Sequence, residues 1–184
     1  MHFRELAAGD ATCIAMLWHT CAAESGDLDV GFRPRAAAAA YAELLRPQLE
    51  SSALFGWGAF AAASADAALL GYLTAEVRDP RRDWEQDCIL YILDVDVEPA
   101  ARRKGIARQL VNLALAKAAT LNVKRVELGW SIDASSSAVW ARLGFRQSLT
   151  RGFIEVAPAT PESPPPKGRG RNVKGILDRS RRHR

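Results

Sequence analysis

The chain has 184 residues and lacks the features that membrane, secreted and zinc-binding proteins need. Its apolar windows end well before the roughly 18 residues of a membrane helix, and residues 1–6 (MHFREL) do not begin an apolar signal segment. Cys13, Cys21 and Cys88 show no CxxC spacing, and with only three histidines beside them they predict no recognisable zinc site. We expect reduced, mostly buried thiols in a cytoplasmic protein without a membrane segment.

The net charge of +4 is unevenly distributed, which weakens the simplest argument for nucleic-acid binding. Residues 157–184 carry eight Lys or Arg and two carboxylates, which leaves 17 basic and 19 acidic residues in residues 1–156. A composition of 48% hydrophobic and 25% charged residues is typical of soluble globular chains. The length fits one α/β domain over residues 1–156 with a short appendage.

The appendage, residues 157–184, opens with PATPESPPPKGRGR, in which five prolines and two glycines disfavour regular structure. We therefore predict a disordered basic tail. Its arginines are suited to holding RNA, DNA or an acidic protein through phosphate or carboxylate contacts. Because the tail has no aromatic side chain to stack on bases, a solvated tail that binds nothing specific is favoured.

Residues 1–156 alternate between helical and strand periodicity, which is typical of a layered α/β fold. Asp10 is a plausible N-cap for the first helix, and Gly144 a plausible left-handed end for the last one. The patterns predict strands at residues 2–6, 54–63, 69–78, 89–97 and 124–130, a strand or a hairpin at residues 145–156, and helices at residues 11–24, 35–49, 105–121 and 134–143.

The turn VEPAARRKGIARQL after the fourth strand predicts an anion site. Arg102, Gly105 and Ala107 have the spacing R-x-x-G-x-A at the point where a helix begins, so backbone N–H groups and the positive end of the helix dipole point at one spot. A diphosphate suits such a site. Positive side chains surround it: Arg102, Arg103, Lys104 and Arg108.

This turn, the V-x-P of Val97 and Pro99 before it and the segment AVWARLGF about 40 residues later together resemble the GCN5-related N-acetyltransferase family. The resemblance implies a mixed, mostly antiparallel central sheet flanked by helices. It also implies acetyl-CoA as cosubstrate, no metal, and transfer of an acetyl group to a primary amine of a small molecule or protein by direct attack in a ternary complex.

The resemblance implies a cofactor site along the fourth strand and the following turn. Val95 and Val97 would offer main-chain groups to the pantetheine arm, and the Val95 N–H would stabilise the developing oxyanion. Asp133 and Ser136 would lie beside the cofactor. The pyrophosphate would lie on the turn and the start of its helix: Arg102, Arg103, Lys104, Gly105, Ile106, Ala107 and Arg108.

The catalytic positions depart from the family pattern. Trp140 stands where the family has a Tyr that protonates the leaving thiolate, and indole cannot serve as that acid, so Trp140 is either near the cofactor or a packing residue. Tyr91 stands where many members have a Glu as general base. Asp94 matches an acidic position of the family and is either a base, a substrate anchor or structural. Strand alternation predicts Tyr91 and Asp94 on opposite faces unless a bulge intervenes.

Two other functions stay open beside the N-acetyltransferase. A non-catalytic acyl-CoA sensor would keep the cofactor site and lack turnover, which fits Trp140 and Tyr91. A protein associated with nucleic acid or the ribosome would act through its basic tail. The acceptor amine and the choice between monomer and homodimer are not determined by any motif.

Overall fold

A computed structural model describes residues 1–26, 37–79, 88–130 and 137–147 of the chain. Residues Met1–Arg146 form one compact unit, and the predicted tail lies outside the described residues. In chain order, the helices and strands of the described part are β1 (His2–Glu5), α1 (Ala11–Gly26), α2 (Ala38–Glu50), β2 (Phe55–Phe60), β3 (Leu69–Arg78), β4 (Ile89–Val97), α3 (Ile106–Thr120), β5 (Arg125–Leu128) and α4 (Ser137–Arg142).

The strands form one sheet in the order β1-β2-β3-β4-β5. The strands β1 to β4 are antiparallel to one another in turn, and β5 runs parallel to β4. A parallel pair needs a long crossover, which α3 supplies between β4 and β5. The predicted mixed, mostly antiparallel sheet is therefore confirmed.

Helices cover both faces of this sheet and bury two hydrophobic clusters. On one face α1 and α2 pack through residues such as Ile14 and Leu45 against Phe60 and Tyr72. On the other face α3 packs through Leu110 and its neighbours against the opposite side chains of β2, β3 and β4. The helical periodicity of the sequence predicts the buried stripes of α1 and α3, which the structure confirms. No helix within the described ranges is long and apolar enough to cross a bilayer.

Asp10 precedes α1 as predicted, but its carboxylate bonds backwards rather than into the helix. It accepts a hydrogen bond of 2.8 Å from the Ala7 N–H and two from the Arg4 guanidinium, at 2.7 and 2.8 Å. Asp10 ends a short 3₁₀ turn at Ala8–Asp10. Its carboxylate thereby joins β1 to the start of α1, a tertiary contact that local sequence does not reveal.

Cys13, Cys21 and Cys88 are thiols that form no disulfide, as predicted, but only Cys21 is buried. Cys13 on α1 and Cys88 before β4 are half-buried, so the expectation of mostly buried thiols is wrong for these two. Cys13 lies between Ala11 and Ile14, which belong to the buried stripe of α1, and it is itself outside that stripe, which explains its partial exposure.

Candidate functional site

Strand β4 separates from β5 halfway along its length. The two strands pair from Ile89 with Arg125 to Ile92 with Leu128, where β5 ends, whereas β4 continues to Val97. Residues 93–97 therefore have β3 on one side and, within the described part of the chain, no strand on the other. A ligand with amide groups can pair with such an edge as an added strand would.

A β-bulge marks the place where the two strands separate. Thr74 of β3 pairs with Asp94 and Ala75 pairs with Ile92, so Leu93 has no partner on β3. The Leu93 side chain is 39% exposed, whereas Ile92 is buried. The extra residue shifts the alternation of side chains by one position from this point to the end of β4.

The bulge brings Tyr91 and Asp94 to the same face of the sheet, which is the exception that the prediction of opposite faces allowed for. Tyr91 pairs with Glu76 and Asp94 with Thr74, and these two partners lie two residues apart on β3. Asp96 follows on the same face, which is the face covered by α1 and α2. Strand alternation failed here because the bulge is made by pairing with β3, not by a local sequence signal.

The turn after β4 has the backbone shape that an anion site needs. Arg103 and Gly105 both have left-handed backbone angles, with φ of 66° and 81°. Gly105 is the N-cap of α3, so the first N–H groups of the helix have no partner within it. A Cβ on Gly105 would meet no described atom within 4 Å, which leaves open space in front of the helix.

The side chains of this turn differ in what they can offer to an anion. Arg103 and Arg108 are exposed, and Lys104 donates a hydrogen bond of 3.2 Å to the Ala100 carbonyl oxygen. Ile106 is buried in the core beneath α3 and is 2% exposed. The site therefore combines main-chain groups with two outward guanidinium groups.

Arg102 is directed away from this turn, contrary to the expectation that it adds charge around the anion. Its Nε donates to the Val97 carbonyl oxygen at 3.1 Å, and its Nη2 donates to a Glu24 carboxylate oxygen at 2.5 Å. Glu24 belongs to the last turn of α1, so the guanidinium joins three elements of the fold.

Two half-buried carboxylates lie beneath α1 and α2 beside the open part of β4. Asp94 accepts hydrogen bonds from the Tyr41 hydroxyl at 3.2 Å and the Thr74 hydroxyl at 3.3 Å. Asp96 accepts one from the Tyr72 hydroxyl at 2.8 Å. Each carboxylate is thus held by a tyrosine of a different element, α2 for Asp94 and β3 for Asp96.

Burial changes the acidity of this group of side chains. Desolvation raises the pKa of Asp94, although the hydroxyls of Tyr41 and Thr74 partly oppose it. Desolvation raises the pKa of Asp96 to about 6, with a further increase from the neighbouring Asp94 charge. Burial also raises the pKa of Cys21 to about 11. A carboxylate that titrates near neutral pH is suited to accept a proton.

Tyr91 lies at the paired end of β4, away from the two carboxylates along the strand. The Arg78 guanidinium stacks over its ring at 3.5 Å. Its hydroxyl approaches Gly129, just after β5, where a Cβ would lie 3.1 Å from the hydroxyl oxygen. Tyr91 therefore reaches the place where β5 ends and the strands separate.

Glu76 and Glu127 flank Tyr91 on the neighbouring strands β3 and β5, and each of them is paired with an arginine. Glu76 accepts from Arg78 Nε at 2.6 Å, and Glu127 accepts from Arg125 Nε at 2.6 Å. Each of these carboxylates is therefore engaged by an arginine two residues away on its own strand.

Trp140 lies in the hydrophobic core and is 9% exposed. Its ring packs edge-on against Phe145 with centroids 6.0 Å apart. This agrees with the packing interpretation of Trp140. Asp133 and Ser136, predicted beside the cofactor, lie outside the described residues.

Sequence reasoning missed three side chains of this site, Tyr41, Tyr72 and Thr74, and it missed the contact between Glu24 and Arg102. The two aspartates alternating within the apolar strand ILYILDVDV were the available signal, because buried carboxylates need donors nearby. Nothing in the sequence indicates which element supplies those donors.

The family model described as "Acetyltransferase (GNAT) family" matches residues 30–145. No curated protein matches the chain at a significant level.

Solved structures with the same fold cover most of the chain. A GCN5-related N-acetyltransferase from Ralstonia eutropha is 23% identical over 84% of this chain and 97% of its own, with a TM-score of 0.65. A predicted acetyltransferase from Clostridium acetobutylicum, solved with acetyl-CoA, is 18% identical over 85% and 95%, with a TM-score of 0.62. An aminoglycoside 6'-N-acetyltransferase from Acinetobacter haemolyticus is 16% identical over 85% and 99%, with a TM-score of 0.64.

Proposed function

The chain belongs to the acetyltransferase (GNAT) family, and we propose that it transfers the acetyl group of acetyl-CoA to a primary amine by direct attack in a ternary complex. One observation carries the proposal. The open edge of β4 leads directly into a turn with two left-handed residues and into the N-terminus of α3, whose first N–H groups have no partner within the helix, and this suits a ligand made of an amide-bearing arm and a diphosphate. The neighbour from C. acetobutylicum that was solved with acetyl-CoA supports it.

The residues present fit acetyl-CoA at this place. The main-chain groups of Val95 and the N–H of Val97 lie in the part of β4 that β5 leaves open, where they would pair with the pantetheine arm, whereas the Val97 carbonyl oxygen accepts from Arg102. The amides of Ile106, Ala107 and Arg108 begin α3 and would hold the pyrophosphate. The open space in front of Gly105 admits a phosphate.

Acetyl-CoA supplies an acetyl group activated as a thioester, so the chain has to orient an amine, stabilise an oxyanion and accept a proton. The Val95 N–H, adjacent to Asp94 and beyond the bulge, is our candidate for the oxyanion. The amine nitrogen forms the new bond to the carbonyl carbon, the thioester bond breaks, and CoA leaves as a thiolate. A thiolate of pKa near 8.5 leaves without an acid at neutral pH, which is consistent with a buried Trp140.

Asp94 and Asp96 are the candidate proton acceptors. Both lie on the face of β4 that α1 and α2 cover, and both are held by tyrosine hydroxyls. Asp94 is the nearer of the two to the bulge, which favours it for contact with the ammonium group of the acceptor. The negative charge of the pair favours a cationic amine over a neutral one. Tyr91 lies nearer the paired end of the strand and would line the acceptor site rather than accept a proton.

Calorimetric titration with acetyl-CoA tests the proposal, with Gly105→Glu as the variant and Gly144→Glu as its matched control. Both glycines have positive φ, 81° and 95°, and neither has a described atom within 4 Å of a Cβ position. The two substitutions therefore impose similar backbone strain and add the same charge.

We expect wild type and Gly144→Glu to bind acetyl-CoA, and Gly105→Glu to lose binding by at least about tenfold, because a carboxylate at the helix N-terminus repels the pyrophosphate. Equal losses in both glycine variants would mean that strain, not the site, explains the effect. Absence of binding by the wild-type protein would contradict the proposal itself.

A further inference from the structure

We propose that Arg102 acts as a positioning residue, which fastens the pyrophosphate turn to the last turn of α1 through Glu24, and that it does not bind the phosphates. The inference rests on the proposed acetyl-CoA site. It assigns acetyl-CoA affinity in part to Glu24, an acidic residue that would otherwise be expected to weaken the binding of an anion.

The contacts of the Arg102 guanidinium carry the inference. Nε donates to the Val97 carbonyl oxygen at 3.1 Å, and Nη2 donates to Glu24 Oε2 at 2.5 Å. The Cys21 thiol donates to the same Val97 oxygen at 3.8 Å and lies 4.0 Å from Nη2. The guanidinium is therefore held between β4 and α1, and two of its nitrogens are engaged there.

Charge explains why this arrangement is stable. Glu24 lies in the last turn of α1, where the helix dipole is negative and a carboxylate is unfavourable. The Arg102 charge offsets both the dipole and the carboxylate, and the Glu24 contact in turn raises the pKa of Arg102. A guanidinium whose charge is neutralised by Glu24 contributes little attraction to a phosphate. Arg102 is exposed too, but its charge is paired with Glu24, so Arg103 and Arg108, which are also exposed, supply that attraction.

The turn needs such an anchor because its next residue is strained. Arg103 has φ of 66°, a left-handed conformation that a non-glycine residue adopts only when its surroundings hold it. Arg102 is the residue directly before it, with its N–H donating to the Pro99 carbonyl oxygen at 3.3 Å and its side chain fastened to β4 and α1. If the Arg102 side chain loses these contacts, Arg103 is free to leave its left-handed conformation, and the amides of the turn no longer point together at the anion.

The test measures acetyl-CoA affinity by calorimetry for Glu24→Gln and Arg102→Lys, with Glu98→Gln as the charge control. Glu98 directly follows Val97 at the end of β4, so Glu98→Gln removes the same charge as Glu24→Gln and at a nearby place. Within the described residues, Glu98 forms no ion pair with Arg102. Arg102→Lys keeps the positive charge but cannot reach the Val97 oxygen and Glu24 together. All three changes are conservative, and melting temperatures verify that the variants fold.

We expect Glu24→Gln and Arg102→Lys each to weaken acetyl-CoA binding about threefold, which corresponds to the free energy of an exposed ion pair. The kcat at saturating acetyl-CoA should stay within about twofold of wild type. The double variant should bind no more weakly than Arg102→Lys alone, because both changes remove one contact. Glu98→Gln should not weaken binding.

Three results would overturn the inference. If Arg102 binds phosphate directly, Glu24→Gln frees it and tightens binding, while Arg102→Lys retains affinity. Additive losses in the double variant would show that the two residues act independently. If the wild-type protein does not bind acetyl-CoA at all, the proposed function fails first, and that outcome is distinguished by the wild-type titration alone.

Discussion

Replacing Asp96 with Asn should stabilise the protein at neutral pH. The carboxylate lies beneath α1, and burial raises its pKa from an ordinary value of 3.8 to about 6. Above pH 6 the folded protein therefore holds a buried charge that the unfolded chain exposes to water. Asn keeps an oxygen that accepts the Tyr72 hydroxyl and removes that charge.

The size of the effect follows from the pKa. At about 1.4 kcal/mol for each pKa unit, the rise from 3.8 to about 6 corresponds to a cost of about 3 kcal/mol for the ionised form. The amide NH₂ of Asn needs a partner that the carboxylate does not, so we expect about half of this, near 1–2 kcal/mol. For a chain of this length, that raises the melting temperature by about 2–8 °C.

The pKa shift of Asp96 also predicts how the stability gain of Asp96→Asn changes with pH. The unfolded carboxylate ionises near pH 3.8 and the folded one near pH 6, so the folded state binds more protons between these values. Wild-type stability is therefore lost as pH rises through this window, and the advantage of Asp96→Asn grows from pH 4 to 6 and stays constant above. Thermal melts from pH 4 to 8 measure it, with the exposed Asp66→Asn as control.

A second substitution on the same contact supplies an independent check. The Tyr72 hydroxyl lowers the pKa of Asp96, so Tyr72→Phe should raise it further and destabilise the protein more at pH 7.5 than at pH 5. The reasoning is refuted if Asp96→Asn destabilises the protein at pH 7.5, or if its difference from wild type is the same at pH 4.5 and pH 7.5.

Two further outcomes follow from the site and the core. Asp94→Asn should lower kcat with an amine acceptor by about 10²-fold and leave acetyl-CoA affinity within about twofold, because a general base contributes to the chemical step. Steady-state kinetics with amines of graded pKa measure this effect. An unchanged kcat would exclude Asp94 as the base. Trp140→Ala should lower the free energy of unfolding by about 3 kcal/mol, because the indole fills the core beside Phe145. Denaturant titration measures this loss. A loss below about 1 kcal/mol would contradict the packing role of Trp140.

Much of the fold was predictable because its signals are local. The apolar, β-branched run of residues 89–97 predicts β4 with the observed bounds, and the apolar spacing after Gly105 predicts α3. Gly144 predicts the left-handed end of α4, confirmed by its φ of 95°. These features depend on backbone preferences and side-chain periodicity within a few residues.

The catalytic side of the site was less predictable because it depends on contacts between distant elements. Sequence alternation separated Tyr91 from Asp94, and the bulge against β3 joins them on one face. Arg102 was expected to face an anion, and Glu24, 78 residues away in the chain, turns it towards α1. The sequence around Asp94 and Arg102 indicates neither the bulge against β3 nor the contact with Glu24.

The sequence by itself thus determined the order of helices and strands, the glycine turn that opens α3 and the resemblance that led to the family. Local propensity and spacing are sufficient for these, because each involves residues that are neighbours along the chain. Only the tertiary structure decided which face Asp94 and Asp96 occupy, which tyrosines hold them and what Arg102 binds. Those outcomes depend on the pairing register of β3 with β4 and on the packing of α1 and α2, where burial sets the pKa of each carboxylate.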